Sequence, residues 1–235
     1  MFRKNSKYPY IIAEIGANHN GEIDLAKKLV DAAKSAGCDA VKFQLWNEHT
    51  AHTKKYMDEL SLKKTLDVDN VPLSTPELGL KNAWDQLKKY KFYHNEHIEM
   101  KKYCDKVGID FSSTGMNMPD LEFLKNIGVN FLKIASQDTD NPFFLKKVSE
   151  MNLPTIVSTG LCTLAEIDEA VRAFSGNMNN LSLLHTISLY PPKDSVVCLK
   201  RIELLKKMYD VPIGYSDHTL GYSISLASVA LGATI

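Results

Sequence analysis

The chain has 235 residues, 44% of them hydrophobic and 24% charged, which suits one large globular domain with a core that needs no staples. Its 28 Lys and Arg balance 28 Asp and Glu, so no net field supports general nucleic-acid binding. No apolar run is long enough to span a bilayer, no secretory leader opens the chain, and Cys38, Cys104, Cys162 and Cys198 form no CxxC pair, so a cytoplasmic protein with reduced thiols and no membrane partner is expected.

Short apolar runs alternate with longer amphipathic segments. Tyr10–Ile15 is the first strand candidate, and a helix over Ile23–Ala36 follows, with Ile23, Ala26, Val30 and Ala33 on one face. The later runs are Ala40–Leu45, Ile109–Ser113, Phe131–Ser136, Thr155–Ser158, Leu181–His185, Pro212–Tyr215 and Ala233–Ile235. Asn141-Pro142 reads as an N-cap with proline at the first helical position. Thr163 to Glu166 is a capping box for a helix running to Phe174. Asp194–Tyr209 and Leu220–Leu231 are further helical patterns, and Gly37, Gly108, Gly128 and Gly232 stand where helices give way to strands.

Strand then helix, repeated to eight strands, predicts a single-domain α/β (β/α)₈ TIM barrel over 1–235. A doubly wound open sheet is the competitor, but its buried strands should be apolar throughout. Here Lys42, Gln44 and Lys133 lie inside the runs, as a barrel mouth allows. Asn47–Asn95 breaks the rhythm as a long polar insertion after strand 2, with a possible helix at Leu78–Tyr90. It reads either as a solvated loop or as a lid or subunit contact.

Polar residues gather at the ends of the predicted strands. Glu14 and the loop Gly16–Gly21 follow the first, without the spacing of a dinucleotide fingerprint. Lys42 and Gln44 share one face of the second. Ser112 to Gly115, then Lys133, Ser136 and Asp138, then Ser158 to Gly160, then His185, Ser188 and Tyr190, then Ser216 to Thr219 follow the others. Two lysines with several hydroxyls suit an anionic, oxygen-rich ligand, phosphate above all. The plainer alternative pairs Lys42 or Lys133 with Glu14 or Asp138 as lumen structure. His218, beside Asp217, is a candidate metal ligand. His185 reads as a core histidine, and His19 either touches substrate or holds its loop. His49, His52, His94 and His97 are expected to be solvated.

These residues carry a family resemblance. AEIGANHNG (Ala13–Gly21), VKFQ (Val41–Gln44), FSST (Phe111–Thr114), KIASQD (Lys133–Asp138), VSTG (Val157–Gly160), LLHTISLYP (Leu183–Pro191) and GYSDHTLG (Gly214–Gly221) resemble the sialic acid synthase family. The resemblance implies a TIM barrel that condenses phosphoenolpyruvate with an N-acylated amino sugar such as N-acetylmannosamine, releasing phosphate by C–O cleavage. It implies a divalent ion, Mn²⁺ or Mg²⁺, bound in part by His218. Carried over, Lys42, Thr114, Lys133, Ser136, Ser158 and Ser216 hold phosphoenolpyruvate, with Ser188 where other members have Asn. Glu14, Gln44, Asp138 and Tyr190 face the sugar, and Glu14, Asp138, Lys42 and Lys133 form the catalytic set. Asp138 replaces a Glu, and Gly115 a Pro. The family pattern also has an eighth strand–helix unit with a second metal histidine, a C-terminal antifreeze-like domain and a homodimer. The first is cut short in this sequence and the second is absent from it. Two other readings are a class I aldolase with Lys133 or Lys42 as the Schiff-base lysine, and a non-catalytic sugar-phosphate-binding module.

Overall fold

The computed structural model describes residues 1–46 and 88–235. Within them seven strands alternate with seven helices: β1 (Ile12–Gly16), α1 (Ile23–Ser35), β2 (Ala40–Leu45), α2 (His94–Val107), β3 (Asp110–Gly115), α3 (Met118–Asn126), β4 (Leu132–Ile134), α4 (Pro142–Glu150), β5 (Thr155–Ser158), α5 (Leu164–Ala173), β6 (Leu181–Thr186), α6 (Lys200–Met208), β7 (Ile213–Ser216) and α7 (Ser223–Ala230). The strands form one parallel sheet in the order β1 to β7. A parallel pair needs a crossover, and the first six helices supply one for each of the six pairs.

The local signals work as their chemistry dictates. The Asn141 side chain accepts from the Phe144 amide at 3.0 Å and caps α4. Thr163 and Glu166 cap α5 reciprocally, at 2.6 Å and 3.3 Å. Gly108 closes α2 at φ +75°, a conformation with little penalty only for a residue without Cβ.

The sheet curls as a TIM-like barrel does, and hydrogen bonds bridge its two edges. The Thr234 amide donates to Ile213 O and the Tyr215 amide to Ile235 O, each at 2.9 Å. On the other side, the Tyr10 amide donates to Thr234 O at 2.9 Å. Residues 233–235, predicted as the eighth strand, therefore lie between β7 and the start of β1, although they are too short to count as a strand. Gly214 permits this: a Cβ there would stand 2.5 Å from Ile235 O and 2.6 Å from the Leu184 side chain.

Period-two alternation sorts the side chains. Val41, Phe43, Phe111, Leu132, Ile134, Val157 and Leu183 point outward into the main core under the helices. The inward-pointing set has two levels. Ala40, Phe131, Ile156 and Leu184 form an apolar floor, plugged by Phe2 and Tyr10. Two residues further along the same strands stand Lys42, Lys133, Ser158 and Thr186, so a polar mouth sits directly above a dry base.

Some expectations need correction. The predicted helix over 194–209 is broken: a 3₁₀ turn spans Asp194–Val196, Cys198 takes φ +51°, and α6 begins only at Lys200. The end of the proposed insertion belongs to the barrel wall, since Lys91 and Phe92 are buried and α2 starts at His94. His97 is fully buried rather than solvated, whereas His94 is exposed and stacked on Phe123 at 3.8 Å. The predicted helix at 78–90 lies mostly outside the described residues, as do His49, His52 and most of the insertion. No helix among the described residues is long and apolar enough to cross a membrane.

Candidate active site

Strand register builds the mouth. Glu14 is the register partner of Lys42, and Lys42 of Ser112. One level higher Gln44 partners Thr114, and Thr114 partners Lys133. The Lys42 ammonium pairs with the Glu14 carboxylate and lies 3.4 Å from Thr114 Oγ1. The pairing anticipated for a lumen lysine is thus present at Lys42.

Lys133 is different. It is buried, its Nζ donates to Ile134 O at 2.8 Å, and it makes no ion pair among the described residues. Burial foremost, then the Lys42 ammonium, pulls its pKa down to about 7, against the opposing pull of Glu14 and Asp138. Asp138 moves the other way, up to about 6, chiefly through burial and then through Asp140, with Lys133 opposing. Its Oδ2 is buried with no hydrogen-bond partner among the described residues. An uncompensated acceptor beside a near-neutral lysine leaves a site whose polar groups are satisfied only when something polar joins them.

The ends of β4, β5 and β6 meet at Gly160. Its amide donates to Ser136 Oγ at 2.9 Å. A Cβ there would stand 2.6 Å from Ser188 Oγ, 2.7 Å from Thr186 Cγ2 and 3.1 Å from Ser136 Oγ, so only glycine leaves room for the three side chains. On the opposite wall a Cβ on Gly16 would lie 3.1 Å from Glu14 Oε1 and 3.7 Å from Gln44 Nε2, which places these two groups side by side. Ser158 and Ser216 end β5 and β7, and neither hydroxyl has a hydrogen-bond partner among the described residues.

His218 approaches from the loop after β7. Its Nδ1 donates to Ile187 O at 2.7 Å, which fixes the tautomer and leaves Nε2 as a free lone pair. Tyr190 stacks near it, ring centres 4.0 Å apart, and is itself largely exposed. Burial holds the His218 pKa below the usual imidazole range. Among the described residues no group of three or more His, Cys, Asp or Glu could hold a metal. The residues present therefore fit one oriented protein ligand, with the rest of a coordination shell to come from elsewhere.

Sequence reasoning missed the role of Asp217. Asp217 accepts from the Thr219 amide and Oγ1, both at 2.8 Å, from Ser225 Oγ at 2.5 Å and from Tyr215 Oη at 3.2 Å, and so fixes the loop that carries His218. The Asp-x-Thr spacing of an Asx turn was the available signal. His19 stacks on Phe92 at 3.6 Å and accepts from the Gly21 amide at 3.0 Å, so it holds its loop. His185 is the expected core histidine, with Nε2 donating to Val197 O at 2.7 Å.

Fold and site together define a TIM-like α/β barrel whose C-terminal rim gathers two lysines, two carboxylates and free hydroxyls. Known proteins narrow the class. The chain is 37% identical to N,N'-diacetyllegionaminic acid synthase of Legionella pneumophila, over 99% of this chain and 64% of that protein. It is 36% identical to the Campylobacter jejuni protein of the same name, over 97% and 66%. Among solved structures, the N-acetylneuraminic acid (sialic acid) synthetase of Leptospira borgpetersenii serovar Hardjo-bovis superposes with a TM-score of 0.81 at 34% identity, covering 97% of this chain and 72% of that one. The NeuB family model matches residues 29–235. The chain belongs to the NeuB family, and the resemblance to sialic acid synthases holds. It spans just under two thirds of the length of these curated relatives.

Proposed function

We propose that this barrel, whose edges are bridged by residues 233–235, is the catalytic unit of a nonulosonic acid synthase that condenses phosphoenolpyruvate with an N-acylated amino sugar. The observation that carries the reading is the meeting of Lys42 and Lys133 at the mouth of an apolar-floored lumen, opposed by Glu14 and Asp138. Two neighbouring ammonium groups repel each other, and a multiply charged anion relieves that repulsion.

Lys42, Lys133, Thr114, Ser136, Ser158, Ser188 and Ser216 would hold the enol phosphate as charge and directed donors. Gln44 and Tyr190, with Glu14 and Asp138, would face the sugar. The C3 carbon of the enol attacks the open-chain aldehyde. Positive charge develops at C2, a water adds there, and the C–O bond to phosphate breaks. The products are a 2-keto acid, longer by three carbons, and inorganic phosphate. Carboxylates beside C2 stabilise the cationic carbon in a water-poor pocket. Asp138, with a pKa near 6, is a base at neutral pH and can take the proton of the adding water. A divalent ion on His218 Nε2 would supply Lewis acidity to the aldehyde oxygen. The family resemblance adds a homodimer.

The test is incubation with phosphoenolpyruvate carrying ¹⁸O in the bridging position, against a panel of N-acyl amino sugars. The label is expected in the released phosphate. Retention in the keto acid, or condensation with pyruvate in place of phosphoenolpyruvate, rejects the reading.

The class I aldolase reading rests on one observation, the near-neutral Lys133. It shares the barrel but demands a covalent lysine adduct.

A further inference from the structure

Four buried hydroxyls repeat one contact around the rim. Each donates to a backbone carbonyl on the next strand or just before it. Ser112 Oγ reaches Phe131 O at 2.7 Å, Thr139 Oγ1 reaches Ser158 O at 2.7 Å, Thr159 Oγ1 reaches Leu184 O at 3.0 Å, and Thr186 Oγ1 reaches Ser216 O at 2.9 Å. All four residues are at least 98% buried. Thr139 also lies 3.2 Å from Ala135 O, the longer of its two contacts.

Two of these clamps land on the residues whose own hydroxyls are free. Thr139 holds the carbonyl of Ser158, and Thr186 holds the carbonyl of Ser216. Ser158 and Ser216 are the last residues of β5 and β7, where ladder pairing ends and the chain turns into a loop. A hydrogen bond to a carbonyl anchors the planar peptide unit that follows that residue's Cα, and so restrains the backbone motion that would swing its side chain. The free serine hydroxyls are thus steadied by two buried threonines whose own hydroxyls are spent on the serine carbonyls.

We infer that Thr139 and Thr186 are positioning residues of the anion site, acting through the Ser158 and Ser216 backbones; this rests on the proposed enol-phosphate reading. A valine at either position keeps the branched shape and removes the donor, whereas serine keeps the donor and loses a methyl.

The experiment compares Thr139→Val, Thr186→Val, Thr139→Ser and Thr186→Ser with the parent chain by calorimetric titration of phosphoenolpyruvate, and by amide hydrogen exchange over 158–160 and 216–218. Each valine variant is expected to bind about tenfold more weakly, the scale of one buried hydrogen bond, while each serine variant stays within about twofold. Exchange is expected to speed up in the segment facing each valine and not in the serine variants. Valine variants that bind like the parent, or serine variants that lose as much as valine, overturn the inference. So does a loss that tracks thermal midpoint across all four. Should the parent chain take up no phosphoenolpyruvate, the enol-phosphate reading fails by itself. The exchange arm then still judges the clamps: unchanged exchange in the valine variants overturns them, and local acceleration in those variants alone upholds them.

Discussion

The Glu14 carboxylate meets the Lys42 ammonium across the β1–β2 ladder, where the two residues are direct register partners. Glu14 is about half exposed while Lys42 is nearly buried, so the pair is open to solvent from the carboxylate side only. Lys133, one strand beyond Thr114, has no such partner among the described residues, and this asymmetry between the lysines sets the first expectation.

Phosphoenolpyruvate binding should take up a proton above neutral pH. Lys133 titrates at about 7 in the free protein, and a phosphate beside it favours the ammonium. Its pKa therefore rises on binding, toward the ordinary lysine value. Between those two values binding is coupled to proton uptake, and affinity falls as pH rises. Calorimetry at about pH 8.5 in buffers of different ionisation enthalpy should report uptake approaching one proton, lost in Lys133→Met. Binding without uptake would mean Lys133 is not at the phosphate.

Borohydride separates the two lysine chemistries. With pyruvate present, reduction should leave the protein mass unchanged. A stable adduct on Lys133 or Lys42 in the mass spectrum would instead establish a Schiff-base enzyme.

His218 carries the metal proposal. Condensation should cease in EDTA and return with Mn²⁺, and His218→Ala should weaken metal-dependent activity by at least tenfold, as loss of a ligand does. Full turnover in chelator removes the ion from the reaction.

Acid should loosen the wall beside β2 and β3. His97 donates from Nδ1 to Tyr93 O at 3.0 Å and accepts from Ser113 Oγ at 3.1 Å. Burial pushes both His97 and His19 down to about 4. An imidazole kept neutral in the fold but titrating normally when unfolded stabilises the fold fully above about pH 6.5. That stability is lost as pH falls toward 4, by about 3 kcal/mol for His97. Urea midpoints should therefore fall from pH 6.5 to 5, before ordinary carboxylates titrate, and NMR should show both rings neutral at pH 5. Rings protonated near pH 6.5 would contradict the burial account.

The parts of the site that were legible in the sequence follow period two. Lys42, Gln44 and Lys133 interrupt apolar runs, and alternation alone turns them to one face; β2 and β5 begin and end where their patterns do. Caps written in short polar motifs, at Asn141 and Thr163, are equally local. What escaped is what depends on non-local partners. The threonine clamps bind carbonyls about 20 to 30 residues away, which no periodicity records. His97 looks like a solvated residue because its neighbours are polar, yet Phe43, Phe92, Phe111 and Phe123 surround it. The helix over 194–209 breaks where Val197 turns inward so that its carbonyl can meet His185.

The bridge from Tyr10 to Thr234 has a kinetic corollary. Every other ladder in the sheet joins strands that are successive along the chain, whereas this contact spans nearly all of it. Loop-closure entropy makes such a pairing the slowest to nucleate. Ring closure is therefore expected late in folding, and Glu14, already paired with Lys42 on the local β1–β2 ladder, comes within electrostatic reach of His218 only once the ring has closed.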